Sequence, residues 1–361
     1  MKTIGIMLPT LLNGDAVGND CMVEYKLLKE NGYNCLLYAE NREGKFEELM
    51  CIPKALRESD VILYHHAIHW LNGEKLLEEY TAGPRVLRYH NITPSHFFSP
   101  YSSDLRDSVA MGREQTARLV KMSNLYLSDS KYNESELLAD GAPKEKSTVI
   151  PPFHQGEDLN TVHGSIETID KLLKRNKPIV LFVGRQAPNK GLHHFVRVAK
   201  SYLDFFGEKA YFVWVGGQEP KFQSYYSEIQ SYILKNHLMG IVSLPGKIPF
   251  EALKSYYLSS SAFLVVSEHE GFCVPVIEAQ TQGIPIVALN TSAVGETAGS
   301  NQLVFDKMDY EKFAVALEVV LTRKDYSREL IDHGRLNYQN RFSKEVLSTQ
   351  FLHYIQGVLQ R

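Results

Sequence analysis

The sequence has little that would place it in a membrane, on nucleic acid or outside the cell. No apolar run in its 361 residues is long enough to span a bilayer, and no signal-peptide pattern follows Met1. The formal net charge of −3 gives no reason to expect nucleic acid as a partner. The 4 cysteines are scattered without metal-ligand spacing, so we expect reduced thiols in a cytoplasmic protein.

What the chain does contain is a regular alternation of apolar strand patterns and helix patterns. This alternation predicts an α/β protein with parallel sheets. A chain of this length favours two domains, and Pro151-Pro152 followed by polar residues marks the boundary. We therefore predict domains at 1–155 and 156–343. After Val304 we expect only helices, the last at 344–359.

The segment 266–282 carries the clearest functional pattern. An apolar strand at 262–266 is followed by Glu270, a small-residue loop, Pro275 and Glu278. Proline suits a helix start, where its missing N–H would have no partner. The free amides of the helix start would form an anion site, provided by Gly271, Phe272, Cys273 and Val274. Two acids would flank the bound anion, although an ordinary strand–helix junction with two solvated acids would read the same way.

A second pattern places two cations where a diphosphate would lie. Arg185 follows the apolar strand 179–183, and Lys190-Gly191 opens the next helix. Ligands of open α/β sheets bind at the carboxyl ends of strands, and guanidinium and ammonium groups both grip phosphate. Two surface cations beside a turn are the alternative. Gly216, at the end of the next strand, allows close approach of a ligand or simply forms a turn.

Together these motifs resemble the paired-glutamate pattern of retaining glycosyltransferases of family 4. That family has the GT-B fold, in which two Rossmann-like domains with parallel sheets face each other across a deep cleft. The resemblance implies that Glu270 contacts hydroxyls of the donor sugar, that Glu278 holds the nucleotide's ribose, and that Arg185 and Lys190 clamp the diphosphate. It also implies that the final helix 344–359 packs back on the first domain.

The resemblance extends to the nucleotide base and to the catalytic centre. Backbone at Lys247 and Ile248 would meet the base, so UDP, favoured in the family, is not distinguished from GDP or ADP. His90, at the end of the fourth strand, is similar to the family's histidine near the donor sugar, although a buried structural histidine is the alternative. The family's chemistry needs no metal, and we expect no cofactor beyond the nucleotide-sugar co-substrate.

The acceptor side is read from the loop 9–20 and from a histidine cluster. Gly14, Asp15 and Gly18 would form a flexible loop that seats the acceptor. Either Asp15 or Asp20 would orient an acceptor hydroxyl, unless Asn19 or Asp20 simply caps the helix. Among His65, His66 and His69 we predict His66 as an acceptor contact and no metal site, because the sequence places no acid nearby.

A further loop leaves two interpretations open. Phe97-Phe98 and Pro100-Tyr101 would hold a sugar ring or touch lipid head groups, or they would pack into the core. Cations on the next helix, diluted by acids, give weak support for peripheral membrane contact through the first domain: Arg106, Arg113, Arg118 and Lys121.

These features together predict a retaining, metal-independent hexosyltransferase. It would move a sugar from a nucleotide-sugar, UDP-linked by preference, to a carbohydrate acceptor in polysaccharide assembly or on a lipid. Cys273 at the helix start would have a lowered thiol pKa. The alternatives are a phosphorylase or hydrolase on the same scaffold, and a non-catalytic sugar- or lipid-binding subunit.

Overall fold

A computed structural model describes residues 1–12 and 14–360 of the chain. The chain divides into two compact units. The first comprises Met1–Ser95, Asp104–His154 and the residues from Ser343 onward. The second comprises His96–Ser103 and Gln155–Phe342.

The first unit is built on a parallel sheet of 6 strands in the order β2-β1-β3-β4-β5-β6. Its strands are β1 Thr3–Leu11, β2 Asn34–Arg42, β3 Val61–His66, β4 Arg85–Tyr89, β5 Leu125–Ser128 and β6 Ser147–Val149. Its helices are α1 Ala16–Glu30, α2 Pro53–Leu56, α3 Leu71–Glu79, α4 Ser103–Met122 and α5 Lys131–Ala139. All of β3 is buried, as expected of a strand covered on both faces.

The final helix of the chain, α15 (Lys344–Leu359), belongs to the first unit. Its buried residues recur at helical spacing, at Leu347, Phe351, Ile355 and Val358. They pack in one core with residues of α1 and of the sheet. Phe351 meets Phe153 edge to face with ring centroids 6.0 Å apart. The helix therefore closes the hydrophobic core of the first unit.

The second unit repeats the plan with a parallel sheet of 6 strands in the order β12-β11-β10-β7-β8-β9. Its strands are β7 Ile179–Val183, β8 Tyr211–Val215, β9 Val242–Gly246, β10 Ala262–Val265, β11 Ile286–Leu289 and β12 Leu303–Phe305. Its helices are α6 Asp158–Thr161, α7 Ile166–Leu173, α8 Leu192–Phe206, α9 Gln223–Lys235, α10 Phe250–Ser259, α11 Val274–Thr281, α12 Val294–Ala298, α13 Tyr310–Thr322 and α14 Lys324–Arg341.

Two details differ from the sequence-based expectation. We expected only helices after Val304, but β12 pairs with β11 as an edge strand. Its three residues, Leu-Val-Phe, are apolar but only half-buried, and a run of three is too short to predict a strand. We also expected the first domain to run without interruption over 1–155, but residues 96–103 belong to the second unit.

Aromatic contacts explain why the segment 96–103 joins the second unit. Phe98 is buried and stacks on Phe222 with ring centroids 5.7 Å apart. Tyr101 packs on Tyr225 at 5.1 Å. Phe98 therefore packs into a core, which is the second of the two interpretations of this loop. Its buried ring cannot contact sugar or lipid.

No helix of the described residues has both the length and the apolar character needed to cross a bilayer. Three of the α4 cations named above for peripheral membrane contact have acidic partners. The pairs are Arg106 with Asp107, Arg113 with Glu136 and Asp140, and Arg118 with Glu74.

Candidate functional site

A close approach of two loops organises the carboxyl edge of the second sheet. Gly191 has a left-handed backbone with φ of 76°, and a Cβ there would lie 2.0 Å from the carbonyl oxygen of Val266. The loop before α8 therefore touches the end of β10. Asn189 joins the same loops, since its carbonyl accepts the Glu268 N–H at 2.9 Å and its side chain donates to the His269 carbonyl at 3.2 Å.

This approach brings Lys190 against Glu270, a contact that the sequence analysis does not predict. The Lys190 ammonium donates to Glu270 Oε2 at 2.6 Å, and the Ser267 hydroxyl donates to Oε1 at 2.8 Å. The Glu270 N–H donates to Ser292 Oγ at 2.7 Å. Glu270 is buried, so its carboxylate is held in one orientation by a cation and a hydroxyl.

The helix start between the two glutamates has the predicted form. α11 begins at Val274, has Pro275 in its first turn, and follows Cys273 in a left-handed conformation with φ of 79°. The ring of Phe272 turns into the core and meets Phe342 edge to face at 5.4 Å. The first amides of a helix have no acceptor within the helix, so the backbone at Phe272, Cys273 and Val274 is available to an anion.

Glu278 lies deeper than expected. We placed it in the first helical turn, but it is the fifth residue of α11 and is buried. Its Oε2 accepts the hydroxyl of Tyr257 at 2.6 Å. Burial raises the pKa of Glu278, and the hydrogen bond from Tyr257 opposes that rise. Tyr257 was missed because its partner lies 21 residues further along the chain.

The expectation of a reactive Cys273 is wrong. Burial of the thiol raises its pKa well above the ordinary value, and the negative charge of Glu270 adds to the rise. The positive charge of Lys190 opposes these effects without overcoming them. The helix start therefore does not produce a thiolate here.

Arg185 and Lys190 differ in their surroundings. The side chain of Arg185 is 68% exposed, and its guanidinium donates to Glu219 at 2.6 Å. Lys221 also pairs with Glu219, at 2.7 Å. Burial alone would raise the pKa of Glu219, but the two cations outweigh burial and lower it. Glu219 thus holds Arg185 at the sheet edge, a role that the sequence did not indicate.

The remaining donor-side residues lie in the next loops of the same edge. Gly216 lies so close to the β7 loop that a Cβ would meet the Gly184 carbonyl oxygen at 1.8 Å. Its N–H donates to the Gly246 carbonyl at 3.0 Å. Lys247 and Ile248 follow directly, with Lys247 exposed. The ends of β7, β8 and β9 therefore carry Arg185, Gly216 and Lys247 as neighbours, in agreement with the strand order.

The acceptor loop of the first unit is shorter than expected. β1 runs to Leu11 and α1 begins at Ala16, so Gly18 lies buried inside the helix. Asp15 is the helix cap, since its carboxylate accepts the Gly18 N–H at 3.1 Å. Gly14 keeps the loop geometry, with φ of 77° and open space around it. Asn13, which we placed in the same loop, lies outside the described residues.

His66 does not suit the predicted acceptor contact. Its side chain is fully buried, and a ring nitrogen lies 3.0 Å from the Thr116 hydroxyl. Burial lowers the pKa of His66 to about 3, so the ring is neutral. It is a core residue beneath the sheet edge.

His90 is the centre of a hydrogen-bonded chain. Its Nδ1 lies 2.9 Å from Asp129 Oδ2, and its Nε2 lies 2.9 Å from His65 Nδ1. Burial would lower the pKa of His90, but the charge and hydrogen bond of Asp129 outweigh burial and raise it. Burial lowers the pKa of His65 well below the ordinary value. Asp129 therefore favours the protonated form of His90, whereas burial favours the neutral form of His65.

Arg88 joins this chain to two acids of α1. Its guanidinium donates to Asp20 at 3.0 Å and to the Ile150 carbonyl at 2.8 Å. Glu24 lies 3.5 Å from Arg88 and 3.1 Å from His65 Nε2. Asp20 therefore neither caps the helix nor reaches an acceptor. The sequence analysis expects no acid near the histidines, but Glu24 lies beside His65.

The cluster holds three carboxyl groups and two basic groups. The carboxyl groups are Asp20, Glu24 and Asp129, and the basic groups are Arg88 and His90. Burial raises the pKa of Glu24 to about 7 and that of Asp20 to about 6. Burial would also raise the pKa of Asp129, but the charges of His90 and Arg88 lower it. As the pH falls, Glu24 is thus the first of the three carboxyl groups to become protonated.

The comparisons agree with this geometry. Residues 165–337 match the profile of the family described as Glycosyl transferases group 1. The chain is 28% identical over 178 residues to a 2-deoxystreptamine N-acetyl-D-glucosaminyltransferase of Niallia circulans, covering 49% of this chain and 44% of that protein. It is 31% identical over 112 residues to the O-antigen chain mannosyltransferase B of Escherichia coli, covering 31% and 29%. The chain thus spans less than half the length of these relatives.

The whole fold also has solved counterparts. The Anabaena protein HepE, crystallised with UDP and glucose, superposes with a TM-score of 0.74 at 16% identity, covering 99% of this chain and 100% of that one. This likeness confirms the GT-B class, with two Rossmann-like domains.

We predict that Gly191→Ala lowers the free energy of unfolding by about 3 kcal/mol, because a Cβ would meet the Val266 carbonyl in a backbone region that already costs about 1 kcal/mol. Gly240→Ala is the matched control, since Gly240 has φ of 80° and open space around it. It should cost only about 1 kcal/mol. Urea unfolding of both variants measures the difference, and equal losses would contradict the close approach.

We also predict that Glu24→Gln flattens the pH dependence of stability. A carboxyl group whose pKa is raised from 4.5 to about 7 contributes stability below about pH 4.5, and this contribution is lost as the pH rises through 7. The melting temperature of the parent should therefore fall between pH 5 and pH 8, by an amount equivalent to about 2 kcal/mol more than in the variant.

The control for Glu24→Gln is Glu30→Gln, an exposed acid at the end of the same helix. It should keep the parent's pH profile. A Glu24→Gln profile as steep as the parent's would show that this carboxyl is ionised throughout.

Proposed function

We propose, from the match of residues 165–337 to the glycosyl transferases group 1, that the chain is a retaining hexosyltransferase using a nucleotide-sugar, with UDP as the nucleotide. The observation that carries the proposal is the Lys190–Glu270 pair beside the start of α11. This arrangement offers a cation, a helix N-terminus and a fixed carboxylate within one sheet edge, as a sugar joined to a diphosphate requires.

We propose that the donor's diphosphate lies between the helix start and the two cations. Arg185 is exposed and would exchange its bond to Glu219 for a phosphate oxygen. Lys190 would share its ammonium between Glu270 and phosphate. Glu270 would accept sugar hydroxyls, and Glu278, already oriented by Tyr257, would accept those of the ribose.

The same groups would lower the barrier to transfer. Negative charge develops on the departing diphosphate, and preorganised donors at that point stabilise the transition state. Arg185, Lys190 and the α11 amides would supply this stabilisation, so we propose that no metal is needed at the diphosphate. His90 lies in the first unit, where Asp129 raises the pKa of its ring, and its role in transfer stays a prediction.

For the acceptor we propose a carbohydrate, carried on a lipid or a growing polysaccharide. The support is the naming of relatives: the Escherichia coli protein is named for the O-antigen chain, and one in Staphylococcus aureus for capsular polysaccharide biosynthesis. We place the protein in the cytoplasm, where nucleotide-sugars would be available to it. Any membrane contact would be peripheral.

We predict that UDP raises the melting temperature in buffer without added Mg²⁺ or Mn²⁺, and that Arg185→Ala weakens UDP binding about tenfold or more. A hydrogen bond to a charged group contributes about 1.5–3 kcal/mol. Arg323→Ala is the matched control, because Arg323 is an exposed arginine, 66% by side chain, paired with Asp325 in the same unit. It should leave the UDP affinity unchanged.

The outcomes of this titration separate the alternatives. A rise in melting temperature with GDP or ADP instead of UDP would support a transferase that uses a different nucleotide-sugar donor. A shift with inorganic phosphate alone would favour a phosphorylase. Equal losses in Arg185→Ala and Arg323→Ala would remove Arg185 from the diphosphate site.

We predict that the transferred sugar keeps the anomeric configuration of its donor. Attack on the face from which the diphosphate departs yields retention, with a phosphate oxygen accepting the acceptor's proton. Proton NMR of the first product formed, read from the anomeric coupling constant, measures the outcome. An inverted product would overturn the proposed mechanism while leaving nucleotide binding intact.

A further inference from the structure

Beside the Lys190–Glu270 pair lies a second cluster that the proposed function does not use. His193 and His194 open α8, and Glu268 lies in the loop after β10. Their nitrogen and oxygen atoms lie within 4.8 Å of one another. The side chains of His193 and Glu268 are 29% and 34% exposed, so the cluster is open to solvent on one side.

The distances within the cluster fit a tetrahedral ion. His193 Nε2 lies 3.2 Å from Glu268 Oε1, and His194 Nε2 lies 3.6 Å from the same oxygen. Ligands bound to Zn²⁺ at about 2.0–2.1 Å with tetrahedral angles lie about 3.3 Å apart. The two distances to Glu268 Oε1 are thus close to the ligand spacing in a zinc tetrahedron, and the third donor pair lies within 4.8 Å.

The far sides of both imidazole rings are held by tyrosines. His193 Nδ1 lies 3.1 Å from the Tyr225 hydroxyl, and His194 Nδ1 lies 3.0 Å from that of Tyr310. Each hydroxyl also accepts another N–H, from the His193 backbone and from Arg197. Metal-binding histidines commonly donate their second N–H to such an acceptor, which directs the other nitrogen at the metal.

The other group of metal-ligand types among the described residues is less suitable. It comprises Asp20, His65 and His90 in the first unit. The guanidinium of Arg88 already donates to Asp20 Oδ2 at 3.0 Å, and His90 is bonded to Asp129. That group therefore has its cation, whereas Glu268 is countered only by the two rings that would share the metal.

We propose that His193, His194 and Glu268 bind one Zn²⁺ ion through Nε2, Nε2 and Oε1, with a water in the fourth position. Two imidazoles and one carboxylate favour zinc over magnesium or calcium. The ion would tie the start of α8, which follows Lys190, to the loop that carries Glu270. It would stabilise this edge without touching the diphosphate, so the proposal does not rest on the transferase activity.

The test is zinc binding to the untagged full-length chain after removal of bound metal. Competition with a chromogenic chelator should give one equivalent of Zn²⁺, and Co²⁺ in its place should give the intense visible bands of a tetrahedral site. We expect Glu268→Gln and the double variant His193→Ala/His194→Ala to bind zinc at least tenfold more weakly. Tyr310→Phe should weaken binding about tenfold while leaving all three ligands in place.

His333→Ala is the matched control, because His333 lies 4.0 Å from Glu329 on an exposed helix face and has no second histidine in its group. It should keep full zinc affinity, and zinc should raise the melting temperature of parent and control equally. Glu268→Gln preserves side-chain size and should keep the metal-free melting temperature. No stoichiometric binding to the parent, or binding unchanged in Glu268→Gln and in the double variant, would overturn the proposal.

Discussion

The ion pair of Lys190 and Glu270 is the contact on which the candidate site of the second unit depends. It exists because the β7 and β10 loops approach to backbone contact, which only a glycine at 191 permits. Asn189 then ties the two loops by hydrogen bonds from both sides. A buried carboxylate is costly unless it is paired, and here one lysine and one serine meet that need. The cation that would grip phosphate is therefore held in place before any ligand arrives.

The first unit uses charge differently. Arg88 and His90 face three carboxyl groups in the core, with every side chain of the group at most 5% exposed. Replacing such a network by apolar residues often stabilises a protein, so its presence is poor evidence for stability. What the network does achieve is to fix the ring of His90, through Asp129 on one nitrogen and His65 on the other, and to raise its pKa through Asp129. The cluster is better explained by its effect on the orientation and pKa of His90 than by a contribution to the stability of the fold.

Sequence patterns succeeded where a local signal suffices. β7 and α15 have the predicted bounds, because one is a short apolar run and the other an amphipathic helix between clear breaks. The Gly-Arg and Lys-Gly motif and the paired glutamates likewise lie at the edge where parallel strands end. Patterns failed where the partner is remote. Nothing near Asp20 in the sequence reveals Arg88. Glu24 does carry a signal of burial, because its spacing from Cys21 and Leu28 places it on the buried face of α1.

Two predictions failed because one physical effect outweighed another. A helix start does favour a thiolate, but the Cys273 thiol is buried next to an acid, and desolvation is the larger effect. His66 is the last residue of β3, at the carboxyl edge of the first sheet. Its ring nevertheless turns inward to Thr116, because strand residues alternate between faces. In both cases the sequence gives the position along the backbone, whereas the direction of the side chain decides the chemistry.

The loop after β10 shows how these constraints combine. Glu268 and Glu270 are two acids separated by one residue, and like charges that close repel unless each has its own partner. Glu270 has Lys190 as a full cation. Glu268 has the imidazoles of His193 and His194 as partners. Burial lowers the pKa of His194. Burial alone would raise the pKa of Glu268, but the hydrogen bonds from the two imidazoles lower it to about 2. The two imidazoles thus hold Glu268 as Lys190 holds Glu270, so each acid of this short loop has its own partner and the loop keeps Glu270 in place.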